Sequence, residues 1–333
     1  MKLRAGWRIL LQIALMIALG ALPILLVAEP LTALHKRGLF LAALAKEPYD
    51  RAINMIVGPL LTMAVIASMA IAARYLDRKP LAHYGVVLDR AWWRSLAAGF
   101  AISAFVMSLV FALEVWTGWV RITGTFVTAS ISFSVVKALC VGTYEEFFSR
   151  GYLLRNLIDG TNLPVAIVVS SLIFAVLHAT TDNASIVSTI GLFVNALFFA
   201  SALLLTRRLS AAIGAHIAWN LFEGVVFGFP VSGDKEPASL IAIEQRGHAL
   251  LTGGAYGPEA GLVGIVASVV GIGLLYLWRR DGARPAGEDA GAPGDAGAPG
   301  DAGAPGEAGA PGDAGAPGSA AVSAAGSAAS RRH

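Results

Sequence analysis

The chain has 333 residues, of which 56% are hydrophobic and only 14% charged, and its mean hydropathy is +0.66. An average soluble domain carries roughly 25% charged residues, so this composition excludes a soluble globular protein and implies an integral membrane one. The net charge of +3 gives no argument for a nucleic-acid partner, and a single cysteine, Cys140, excludes a disulfide framework or a cysteine-based zinc motif within the chain.

Apolar runs of about 20 residues, the length a helix needs to cross about 30 Å of hydrocarbon, predict eight spans. They cover about 7–28, 52–75, 92–116, 128–157, 163–179, 185–206, 209–229 and 259–279. The first, in MKLRAGWRILLQIALMIALGALPILL, has the basic start and apolar core of a signal peptide. Its apolar run is long and no A-x-A site closes it, so a retained helix is expected. With the N-terminus in the cytoplasm, the inner segments carry about twice as many Lys and Arg as the outer ones. That bias places both termini in the cytoplasm, and a bacterial cytoplasmic membrane is the expected location. The predicted fold class is therefore an all-α polytopic membrane helix bundle of about eight transmembrane helices with a disordered C-terminal tail.

The tail is a separate object. From Gly291 to Ala320 glycine fills every third place for ten triplets, the Gly-X-Y period that a triple helix requires at its axis. Ten triplets rich in Ala and Pro and poor in large apolar side chains are expected to form a flexible acidic tail rather than a folded unit.

Ionisable residues within predicted spans are costly, so each is a candidate functional group whose partner has to be named. Six polar residues stand out: Glu145, Glu146, Arg150, His178, His216 and Asn220. Glu146 and Arg150 are four apart with the glutamate on the N-terminal side, the better order for a helical ion pair. That pairing leaves Glu145 about 100° round the helix without a local partner. His216 and Asn220 share a helix face, which Glu223 extends one turn further, whereas His178 stands alone at the end of SLIFAVLHAT. If FFSRGYLLRN carries the helix on past the glutamates, Glu145 lies about 18 Å in from its cytoplasmic end. His178 then lies about 22 Å, His216 about 10 Å and Asn220 about 17 Å from the starts of their own helices, so the four can converge near mid-bilayer.

A glutamate and two histidines in a low-dielectric cavity suggest hydrolysis. Glu145 can act as general base on a water that His178 also holds, while His216 and Asn220 donate to the oxyanion of a tetrahedral intermediate. Glu145, His178 and His216 can equally be read as three zinc ligands that leave a position for water. Spacing does not separate a zinc site from a metal-free one.

At these residues the sequence resembles a known family. EEFFSR fits EExxxR, FAVLH (Phe174 to His178) fits FxxxH, and HIAWN (His216 to Asn220) fits HxxxN. These are motifs of the CPBP intramembrane proteases, the CAAX protease and bacteriocin-processing or Abi family, to which the eukaryotic CAAX prenyl endopeptidase is related. YGVVLDRAWWRSLAAG, residues 84 to 99, is similar to the family's segment before its core, so the resemblance covers about 84–229. It implies that Glu145 and His178 activate water, that His216 and Asn220 stabilise the oxyanion, and that Glu146 and Arg150 shape the site. Relatives are often described as metalloproteases, which keeps zinc optional. The implied partners are a membrane-associated protein or peptide substrate and the lipid bilayer. The expected organisation is N-terminal helices and loops over 1–83, a protease core over 84–229, an outer loop and last span over 230–282, and the low-complexity tail over 283–333.

Two other readings use the same residues. Buried carboxylates and histidines also build proton relays in transporters, which would call for inverted repeats or paired broken helices that the sequence does not display. A non-catalytic scaffold would keep the fold, with Glu146 and Arg150 as a structural ion pair and His216 and Asn220 bonding helix to helix. Two further charges fall inside spans: Glu114, expected to reach the interface near the end of its helix, and Lys137, for which the sequence offers no role.

Overall fold

The computed structural model describes residues 3–41 and 45–282. The Gly-X-Y tail, with its expected lack of fold, lies outside them. Helix α1 (Ala5–Pro23) continues through a π turn (Ile24–Ala28) into α2 (Glu29–Lys36), followed by α3 (Lys46–Ala72) with a closing π turn (Ala73–Asp77) and by α4 (Arg90–Trp116). Helix α5 (Ser130–Glu146) runs through a π segment (Phe147–Leu153) into α6 (Leu154–Gly160). Then come α7 (Leu163–Leu177), α8 (Ile186–Thr206), α9 (Leu209–Asn220) with a π segment (Leu221–Val226), the single turn α10 (Ala249–Thr252), and α11 (Leu262–Gly282).

Among the described residues six helical segments are long and apolar enough to cross a membrane: Ala5–Lys36, Tyr49–Asp77, Arg90–Trp116, Ile186–Thr206, Leu209–Val226 and Leu262–Arg279. Two helices separate these six from the expected eight. α7 has only 15 residues, and the rod formed by α5 and α6 carries Lys137, Glu145, Glu146, Arg150 and Arg155. They are also the helices that bear Glu145 and deliver His178. The rod does extend past the glutamates, to Gly160, as the apolar character of FFSRGYLLRN requires.

The bundle is all-α but for one feature that hydropathy did not reveal. Strands β1 (Val120–Thr125) and β2 (Ile241–Gln245) pair antiparallel, with an irregularity between Ile122 and Gly124, and join two segments read from the sequence as plain loops. Glu244 on β2 accepts from Arg121 at 2.8 Å and Arg246 at 3.0 Å, and those guanidinium donors hold its carboxyl below the usual carboxylate range.

Helix boundaries follow local chemistry. Asp89 caps α4 by accepting from Trp92 N at 2.8 Å, and it also receives Arg208 Nη2 at 2.7 Å, tying the start of α4 to that of α9. Asn162 caps α7 at 3.0 Å, and Ser185 with Ser188 forms a reciprocal cap on α8.

Packing inside the bundle depends on small residues, because lipid supplies no hydrophobic drive between helices. A Cβ on Gly99 would stand 2.1 Å from Ala211 O, and one on Gly214 would stand 2.1 Å from Leu96 O, so α4 and α9 meet backbone to backbone. Gly142 does the same for α5 and α9: a Cβ there would lie 2.7 Å from Ile217 Cγ1 and 2.8 Å from Ile217 N. The end of the bundle near Asp77 is held by polar groups. Buried Asp77 accepts from Arg8 Nη1 at 3.1 Å, Tyr152 OH at 3.2 Å, Asn156 Nδ2 at 3.1 Å and Tyr84 OH. One carboxylate thus fastens α1, α3, the 81–84 turn and the α5–α6 rod.

Candidate active site

The site lies where α5, α7 and α9 converge. Glu145 and Glu146 end the regular part of α5, His178 follows the last residue of α7, and His216 and Asn220 lie on α9. The contact of Gly142 with Ile217, next to His216, brings the glutamates within reach of that histidine. Glu145, His178, His216 and Asn220 all line one cavity of about 270 Å³.

Each histidine is oriented through Nδ1. His178 Nδ1 stands 2.9 Å from Phe174 O. A carbonyl only accepts, so Nδ1 carries the proton and Nε2 of the neutral ring has a bare lone pair. Phe174 lies one turn before His178, and its ring packs against the imidazole with centroids 4.8 Å apart. His216 Nδ1 donates to Glu146 Oε1 at 2.8 Å, and its ring stacks on Phe199 with centroids 4.5 Å apart. The two Nε2 atoms face the same carboxylate oxygen: Glu145 Oε2 is 3.9 Å from His178 Nε2 and 4.0 Å from His216 Nε2. That oxygen is buried and has no hydrogen-bond partner among the described residues.

Glu146 does more than pair along its helix. Oε1 accepts from Arg150 Nη1 at 2.8 Å as well as from His216 Nδ1, with the Glu146 and Arg150 side chains buried together. The guanidinium lies 4.3 Å from the Phe174 ring centroid and 5.4 Å from that of Phe199, and Arg150 Nη2 donates to Ala196 O at 3.1 Å. Arg150, Glu146 and His216 therefore form a chain in which each group fixes the next. The i, i+4 spacing predicted its first link, whereas the second crosses between helices and has no sequence signal.

Several residues take places that the sequence did not assign. Lys137 lines the cavity and bridges to the 227–240 loop, at 2.9 Å to Glu236 Oε1 and 3.3 Å to Asp234 Oδ2. Glu114 does not reach the interface: it is fully buried, and neither oxygen has a partner among the described residues. Glu223 is also fully buried, with its carboxyl against Trp219 and the backbone of Glu259, and Glu259, read as the first residue of the last span, sits in a separate turn (Pro258–Ala260) that lines the cavity.

As they stand, these residues do not fit a metal ion. No group of three or more His, Cys, Asp or Glu among the described residues is arranged to hold one. Ligand atoms sharing a tetrahedral zinc at about 2.05 Å stand about 3.3 Å apart, closer than the 3.9 and 4.0 Å found here. A water fits better, because an oxygen 2.8 Å from both atoms of either pair subtends about 90° between them.

Residues 127–222 match the family described as "Type II CAAX prenyl endopeptidase Rce1-like". The matched stretch contains Glu145, Glu146, Arg150, His178, His216 and Asn220, and it ends before Glu223 and Glu259. No curated protein and no solved structure matches the chain.

Proposed function

From the match of residues 127–222 to the Rce1-like family of type II CAAX prenyl endopeptidases, we propose that the chain is an intramembrane endopeptidase that hydrolyses a peptide bond of a membrane-associated protein or peptide. The observation that carries this reading is the Glu145 carboxylate oxygen, buried without a hydrogen-bond donor and faced by the Nε2 atoms of His178 and His216.

A water in that position donates one hydrogen to Glu145 and the other to His178 Nε2, which turns its lone pair toward the substrate carbonyl. As the oxygen attacks, Glu145 takes the first proton. The carbonyl oxygen gains negative charge and needs donors. The Asn220 amide supplies one from the cavity wall. His216 supplies another only as imidazolium, because its Nδ1 proton is committed to Glu146. No step is routed through a metal.

The test is cleavage by purified variants. Glu145→Ala, His178→Ala and His216→Ala should each abolish Glu145-dependent processing while the protein still inserts. Mass spectrometry of membrane peptides from cells with wild-type or Glu145→Ala protein identifies the substrate, and an unchanged peptide set would overturn the proposal.

A further inference from the structure

The mechanism so far names no donor for the departing amine other than the proton that Glu145 takes from water. His178 Nδ1 is engaged by Phe174 O, and His216, with its Nδ1 on Glu146, is turned to the oxyanion. Arg150 is held by Glu146, and Lys137 is held by Asp234 and Glu236.

One carboxyl in the cavity remains unused. Glu259 is 3% exposed and lines the same space as Glu145 and the histidines. Ser232 Oγ donates to its Oε1 at 2.6 Å. It shares the cavity wall with His178 and His216. The turn that carries it is fixed against α8, where a Cβ on Gly191 would stand 1.8 Å from Glu259 O. Behind it lies Glu223, fully buried, with its carboxyl against the Trp219 side chain and the backbone of Glu259. Glu223 Oε1 would be 2.9 Å from a Cβ on Gly257, two residues before Glu259. Burial raises the Glu259 carboxyl above the usual carboxylate range, so it holds its proton more firmly than a solvated carboxyl does.

We propose that Glu259 is the general acid of this cavity, delivering its proton to the leaving nitrogen as the C–N bond breaks, with Glu223 as the neighbour that keeps that proton in place. The inference rests on the hydrolytic reading above and extends it beyond the family-matched residues. Water gives a proton to Glu145 and its oxygen to the carbonyl carbon. The C–N electron pair then takes the proton of Glu259, yielding a carboxylic acid and an amine. The proton on Glu145 passes to solvent or back to Glu259, which restores both groups.

The peptide whose cleavage depends on Glu145 is resynthesised with an ester at the scissile bond, and both forms are assayed with full-length protein in detergent. An alkoxide departs with far less help than an amine. Wild type should cleave both forms and Glu145→Gln neither. Glu259→Gln should lose amide cleavage by about 10²-fold or more and ester cleavage by less than about 10-fold. Because both rates come from one preparation, their ratio is insensitive to the fraction of protein folded. Should Glu259→Gln yield no protein, Glu223→Gln is expected to move the ratio in the same direction by a smaller factor. Equal loss of both activities, or an unchanged ratio, overturns the role of Glu259 and leaves Glu145 carrying its proton across to the amine. Failure of Glu145 to matter for either form overturns the hydrolytic reading itself, and the inference with it.

Discussion

Glu146 is the residue whose role changes most between spacing and structure. As the partner of Arg150 alone it would be a helix staple, but one of its oxygens also receives the Nδ1 proton of His216. Its substitutions should therefore separate chemistry from stability. Glu146→Gln keeps the volume but replaces the carboxylate that receives His216 Nδ1 with a neutral amide, so cleavage should fall on the order of 10²-fold or more, with KM little changed. Arg150→Met leaves the Glu146 carboxylate buried without its cation, which should cost about 3–5 kcal/mol and appear as reduced thermal stability in detergent. His83 offers a prediction away from the site. Burial, then the nearby Lys79 charge, lowers its pKa below the ordinary 6.5. Below about pH 6.5 the unfolded chain binds a proton that the folded chain refuses. This residue's contribution is therefore present at neutral pH and lost on acidification, and the fall in Tm between pH 7.5 and 5.5 should be smaller in His83→Gln.

At the scale of elements, the site depends on how closely α5 approaches α9. Glycine at 142 sets that distance, because a methyl there would meet both the backbone and the side chain of Ile217. Gly142→Ala should force the helices apart at a cost of about 1–3 kcal/mol. Activity should fall by more than stability, since Glu145 and Glu146 move together away from His216. Measuring both in one preparation checks this, and equal loss would mean that the spacing is structural only. The same reasoning shows what sequence patterns convey about elements. FFSRGYLLRN was apolar enough to show that the helix continues beyond the glutamates, and it does so to Gly160. Hydropathy missed the β1–β2 pair, because strand pairing between residues 120 and 245 is a long-range event without local periodicity. It also misplaced Glu114, since position along a helix does not reveal which neighbour covers a side chain.

At the scale of the whole molecule, composition settled the setting. Six helices meet the demands of a membrane span, while the α5–α6 rod and α7 trade apolar length for the charges and the short reach that the site needs. We propose that both termini face the cytoplasm, from the bias of Lys and Arg. A reporter fused after Arg280 should be active only when the reporter works in the cytoplasm, and activity of an externally folding reporter there would reverse the topology.

The sequence by itself determined the membrane class and the helical fold and singled out Glu145, His178, His216 and Asn220 as candidates, because hydropathy and helical spacing are local properties of the chain. Only the tertiary structure decided what those groups face. The Glu146–His216 bond, the two Nε2 atoms turned toward Glu145, the pairing of Lys137 with the 227–240 loop, and the arrival of Glu259 in the cavity all join residues far apart in sequence. Such contacts are set by how closely helices approach one another, which in this bundle depends on glycines and buried polar ties that no single stretch of sequence displays.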